Sequence, residues 1–129
     1  MTELSTIEHI NRLSGTKLAL VKGQFSIYDA EDVNYIVEIK NRRKYYPTKL
    51  IEAKKLYSNF QASQLAGKKF LYVVTDEKGV YVYNISNHMT QIVNLPMKAI
   101  KCPRTTDFNN NDKIIKYSYE LPEMLAIKL

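Results

Sequence analysis

The stretch Tyr35-Ile36-Val37-Glu38-Ile39-Lys40 constrains this chain more than any other. It begins as a buried strand should, with aromatic and β-branched residues. It then sets a carboxylate and an ammonium two residues apart. Strand side chains alternate between faces, so Glu38 and Lys40 share one face and Ile39 points to the other. Asp29 lies nine positions before Glu38. A hairpin from Phe25 to Lys40, turning tightly around Asp32-Val33-Asn34, folds Asp29 back beside Glu38. Two carboxylates and a lysine then meet at one edge of a sheet.

The rest of the chain can be read around that hairpin. At 129 residues it is one domain with one core. Residues 4 to 13 read as a helix, with Leu4, Ile7, Ile10 and Leu13 recurring at threes and Gly15 as its cap. Ser5-Thr6-Ile7-Glu8 matches a capping box. Lys17 to Lys22 reads as a first strand, and the hairpin supplies two more. Pro47 precedes a helix expected from Thr48 to about Ala66, closed by Gly67, with Leu50, Ala53, Tyr57, Phe60 and Gln61 inward. Lys69 to Val74 and Val80 to Ile85 form a second hairpin around Asp76-Glu77-Lys78-Gly79. Residues 92 to 100 are ambiguous, because Pro96 argues for an edge or a break. Cys102 to Asp112 reads as a loop, and Ile114 to Leu121 alternates as a last strand. The expected class is α/β, with a central mixed sheet in the order α-β-β-β-α-β-β plus a C-terminal strand, flanked by helices.

Three Asp/Glu-x-Lys triplets occur: Glu38-Ile39-Lys40, Glu52-Ala53-Lys54 and Asp76-Glu77-Lys78. The second falls on the expected helix, where positions two apart diverge. The third is a turn beside glycine. Only the first ends an apolar strand with an upstream acid in hairpin reach. Two carboxylates can hold Mg²⁺, which takes oxygen ligands and keeps several waters. Such an ion activates water and offsets charge on a phosphate. Lys40 can position the nucleophile or stabilise the transition state, and the Ile39 carbonyl can add a ligand.

Asp29, then Glu38-Ile39-Lys40 at the end of a strand, then a helix and a hairpin, resembles the PD-(D/E)XK nuclease superfamily. Tyr28-Asp29-Ala30 with Tyr35 to Arg42 is similar to the small phage-type endonucleases and junction resolvases. The resemblance covers roughly residues 4 to 85, and more weakly Cys102 to Phe108. It implies a restriction-endonuclease-like core and Mg²⁺- or Mn²⁺-dependent hydrolysis of DNA. Asp29, Glu38 and Ile39 would be metal ligands and Lys40 the catalytic lysine. Members often carry a further acid on the first helix, for which Glu8 is the candidate and Glu3 the second. Tyr28 stands where a proline often precedes the first acid, and the glutamine-tyrosine signature of RecB-like members is absent.

Net charge is +6, and residues 38 to 55 hold seven cations against two anions. That concentration favours phosphate contact by Arg42, Arg43, Lys44, Lys54 and Lys55. The alternative is a solvated loop. For Asp29, Glu38 and Lys40 the alternative is an exposed strand face with a cross-strand ion pair. Asp32 competes with Asp29 but suits the turn. Tyr45 and Tyr46 can stack on bases or simply pack. His9, His88 and the lone Cys102 lack zinc-ligand spacing. One cysteine and no signal-like N-terminus suggest a reducing cytoplasm. No apolar run is long enough for a membrane helix. The expected partner is DNA, with a homodimer implied by the resemblance. The competing functions are a catalytically silent nucleic-acid-binding module on the same fold, and a protein-interaction domain.

Overall fold

Two stretches are apolar on both faces, and they become the centre of the molecule. In a computed structural model, which describes residues 1–23, 26–103 and 113–129, strand β3 (Tyr35–Asn41) and strand β5 (Lys69–Asp76) lie side by side and parallel. Ile36, Val37 and Ile39 of β3 are buried, as are Phe70 to Val74 of β5. A parallel pair must be covered on both faces, and a near-continuous apolar run is its signature.

Around this pair a mixed six-stranded sheet is laid in the order β1-β2-β3-β5-β6-β9. Strand β1 (Ala19–Leu20), β2 (Ala30–Glu31) and β3 form an antiparallel meander, and β6 (Gly79–Asn84) returns antiparallel to β5. The tail closes the far edge as β9 (Ala126–Lys128). Helix α1 (Glu3–Ser14) covers one face with Ile7 and Ile10, packed with Val37, Ile39 and Val73. The other face holds Ile36, Phe70, Tyr72 and Val74 beneath helix α2 (Ala53–Ala66) and helix α3 (Ile85–Val93). A second, three-stranded sheet in the order β4-β8-β7 completes the molecule, from β4 (Thr48–Glu52), β7 (Met97–Pro103) and β8 (Lys113–Pro122).

The α/β class with a mixed sheet is therefore present, but the element order differs from the expected one. Thr48–Glu52 forms β4 instead of the first turns of a helix. It pairs with β8, as in Ile51 opposite Tyr119, and a partner so distant in sequence overrides local helix preference. Helix α2 starts at Ala53 and buries Leu56, Asn59 and Ser63 most deeply; Ala53 and Phe60 pack against the same core as expected, while Tyr57 and Gln61 are exposed. Residues 85–93 are helical, capped by Asn84, whose side chain accepts the Asn87 N–H at 3.1 Å. The first helix is capped by Thr2 and Ser5 reciprocally, at 3.0 and 2.9 Å, not by Ser5 and Glu8. Leu4 and Leu13 are half-exposed, since spacing by threes drifts round a helix of 3.6 residues per turn. Phe25 and most of the loop expected from Cys102 to Asp112, Arg104 included, lie outside the described residues. No helix among the described residues is long and apolar enough to cross a membrane.

Candidate active site

The short β2 strand leaves the last part of β3 without a backbone partner on one side, and Asp29 fills that edge. The turn is set by Asp32, whose Oδ1 accepts the N–H groups of Asn34 and Tyr35, both at 2.8 Å. Ala30 pairs with Val37, yet the Asp29 N–H also donates to the Val37 carbonyl, at 2.8 Å. Two residues of one strand thus face one of the other, as in a β-bulge, which re-aims a side chain. The Asp29 carboxylate consequently runs along the sheet edge, and its Oδ2 accepts the Ile39 N–H at 2.8 Å. In a strand the carbonyl of a residue leaves on the same side as its N–H. Ile39 therefore directs its carbonyl toward the edge that Asp29 occupies.

Glu38 projects from β3 onto the α2 face and is nearly buried, at 7% exposure. Its Oε1 lies 3.2 Å from the Lys55 Nζ. Burial, then the charge of Asp29, push its carboxyl up to about 7, against the opposing pull of Lys55. Glu3, the first residue of α1, reaches the same cluster from the opposite face. Burial, then Asp29, raise its carboxyl too, and its charge is felt by Glu38. Asp29 thus disfavours the charge of both Glu3 and Glu38, and Glu3 adds a smaller effect on Glu38. Glu8 is exposed.

Lys40 follows Glu38 on the same strand face. Burial, then Arg42 and Lys55, lower its pKa, while Glu52 and Glu38 oppose them. The cations after the strand separate into groups. Arg42 turns toward Tyr72 and Lys40, and Lys55 toward Glu38. Arg43, Lys44 and Lys54 are exposed, with the Lys44 Nζ 5.8 Å from the Tyr46 ring. Lys49 is only 2% exposed. Its ammonium pairs with Asp76 and Glu123, both at 3.2 Å, and lies over the Tyr45 and Tyr81 rings at 4.3 and 4.2 Å. The Asp76 side chain, expected in a surface turn, is therefore buried. Tyr45 packs on lysines, and Tyr46 is half-exposed.

Glu52, which local sequence gives no reason to place here, also acts on the cluster. It ends β4, its Oε1 is 3.2 Å from the Lys116 Nζ, and its charge acts on Lys40 and Lys55. Only the pairing of β4 with β8 brings it there. His9 and His88 instead pair along their own helices, with Arg12 at 3.0 Å and Gln91 at 2.8 Å.

No protein-family model matches the chain, and no curated protein matches it. What the cluster can hold must come from its donors. Among the described residues no three acidic, imidazole or thiolate groups converge as a ready-made metal cage. Asp29, Glu38 and the Ile39 carbonyl form an all-oxygen set of two carboxylates and one carbonyl. That is a donor set Mg²⁺ accepts, because it retains waters and takes further oxygens from a phosphate. The Glu38 carboxyl is raised by burial first and by the Asp29 charge second, even with the Lys55 ammonium beside it.

Proposed function

We propose that this chain is a metal-dependent DNA endonuclease of the PD-(D/E)XK kind, with structure-selective cleavage like that of the junction resolvases it resembles. The observation that carries the reading is the bulged edge. There Asp29 is locked to the Ile39 N–H beside buried Glu38, with Lys40 on the Glu38 face. Stability alone gives no reason to aim the Asp29 charge at buried Glu38. The meander β1-β2-β3, followed by a crossover through α2 to a parallel β5, supports the restriction-endonuclease-like core.

In this reading Asp29, Glu38 and the Ile39 carbonyl hold Mg²⁺ or Mn²⁺. An ion bound there would supply an activated water and offset charge on the scissile phosphate. Lys40 donates to the developing negative charge from a fixed strand position. Glu3 adds a further acid at the margin of the site, in place of Glu8. Arg42, Arg43 and Lys44 hold the flanking phosphates, and Lys54 adds to the basic surface.

Wild type is assayed with Mg²⁺ or Mn²⁺ on supercoiled plasmid, a four-way junction, single-stranded DNA and RNA. Cleavage is expected for a DNA form, and Glu38→Ala and Asp29→Asn abolish it. Lys40→Ala lowers the rate by about a hundredfold or more. Asp32→Asn stays near wild type, since its acceptor oxygen still serves the turn. Metal-dependent cleavage by none of these proteins, with tight DNA binding, replaces the enzyme by a binding module. The Glu38–Lys55 ion pair is the observation that favours this second reading, because a lysine already neutralises one acid.

A further inference from the structure

Lys55 occupies an unfavourable place for its own helix. It is the third residue of α2, and the N-terminal turn of a helix repels cations. Its ammonium nevertheless lies 3.2 Å from the Glu38 Oε1. The side chain is 46% exposed, whereas that of Glu38 is 10% exposed. A surface lysine thus bends inward to reach a nearly buried carboxylate. Among the described residues no other cation lies within ion-pairing distance of Glu38. Lys40, nearer in sequence, does not close that pair.

Resting on the endonuclease reading, we propose that Lys55 is a displaceable stand-in for the metal. Its ammonium neutralises Glu38 in the metal-free protein and gives way when a divalent cation binds at Asp29 and Glu38. Its four-carbon stem then turns outward to a substrate phosphate. Two consequences separate this role from a structural ion pair or a permanent phosphate contact. Lys55 competes with the metal, so removing it tightens metal binding. Lys55 reaches DNA only once the metal is in place, so its contribution to DNA affinity depends on metal.

The test uses the full chain at one fixed, mildly alkaline pH for all variants. Bound Mn²⁺ is followed by loss of the free-ion paramagnetic resonance signal, for wild type, Lys55→Met, Lys55→Arg and Glu38→Gln. Lys55→Met is expected to bind Mn²⁺ about threefold more tightly or better, the scale of a half-exposed ion pair. Lys55→Arg stays close to wild type, and Glu38→Gln loses the ion. Affinity for a short DNA duplex is measured in Ca²⁺ and in EDTA, and Lys55→Met weakens it in Ca²⁺ alone. Circular dichroism verifies each fold, and Lys55→Gln serves the same comparison if the methionine variant does not fold. Unchanged or weaker Mn²⁺ binding in the neutral variant, with wild type still binding, overturns the stand-in and leaves the endonuclease reading standing. Equal loss of DNA affinity in Ca²⁺ and EDTA overturns it as well, making Lys55 a permanent phosphate contact. If wild type binds no Mn²⁺, both readings fall together.

Discussion

Glu38 shows how one residue can be readable in type and unreadable in environment. Its place on the strand follows from alternation, and so does its shared face with Lys40. That its neighbours would be Glu3 and Lys55 does not, because α1 and α2 approach the sheet edge from opposite faces. Nor does the bulge at Asp29, which needs one extra residue against Val37 and leaves no mark in composition. The energetic consequence is measurable. With its carboxyl at about 7 in the fold and near its ordinary value when unfolded, Glu38 binds more protons folded than unfolded between those limits. Its ionisation therefore costs stability as pH rises through that window, by an amount of order 3 kcal/mol. In EDTA, wild type should lose melting temperature relative to Glu38→Gln as pH climbs from about 5 to about 8. Added Mn²⁺ should recover the loss in wild type alone. Parallel pH curves for the two proteins would show that Glu38 is not strained by its neighbours.

Among the elements, β4 carries the clearest lesson. Its five residues looked like the opening of a helix, since Pro47 is a good start and Leu50 and Ala53 fit a stripe. The partner strand β8 begins at Lys113, far beyond any local window. By contrast, β3, β5 and β6 were legible because both-sided burial writes itself as a continuous apolar run. Helix α3 also carries a local signal, since Asn84 is a good cap and Ile85, Met89 and Ile92 repeat at helical spacing. The role of β4 is visible in Lys49, which fastens it to the β5–β6 turn through Asp76. Asp76 Oδ2 has that ion pair but no aligned hydrogen bond among the described residues. Removing the ammonium leaves a carboxylate buried without compensation. Lys49→Met should cost about 3 kcal/mol or more in urea unfolding, and adding Asp76→Asn should return a large part of it. A loss equal in the single and double variants would mean that Glu123 and the tyrosine rings, not Asp76, hold the lysine.

For the whole molecule, charge was the most legible property and its placement the least. The +6 balance and its concentration at residues 38 to 55 stand in the sequence. The fold distributes those cations unequally, with Lys49 sealed inside, Lys55 on Glu38, and Arg43, Lys44 and Lys54 left in solvent. Neutralising Arg42, Arg43 and Lys44 together should weaken binding to all DNA sequences alike. The slope of log affinity against log salt should shrink by about 0.9 for each phosphate no longer neutralised. An unchanged slope would make that loop a solvated surface. The split between two sheets has a further consequence. Asp29, Glu38 and Lys40 belong to the six-stranded sheet, whereas Glu52 ends a strand of the three-stranded one and Lys55 lies just beyond it. The cluster therefore spans a seam between two hydrogen-bonded units that can open at different free energies. Lys55 stays with α2, which packs on the larger sheet, so a transient parting of β4 from β8 would release Lys116 from Glu52 and leave the Glu38–Lys55 pair in place. Amide hydrogens of β4 and β8 exchanging sooner than those of β3 and β5 would mark the seam as the first part of the fold to open.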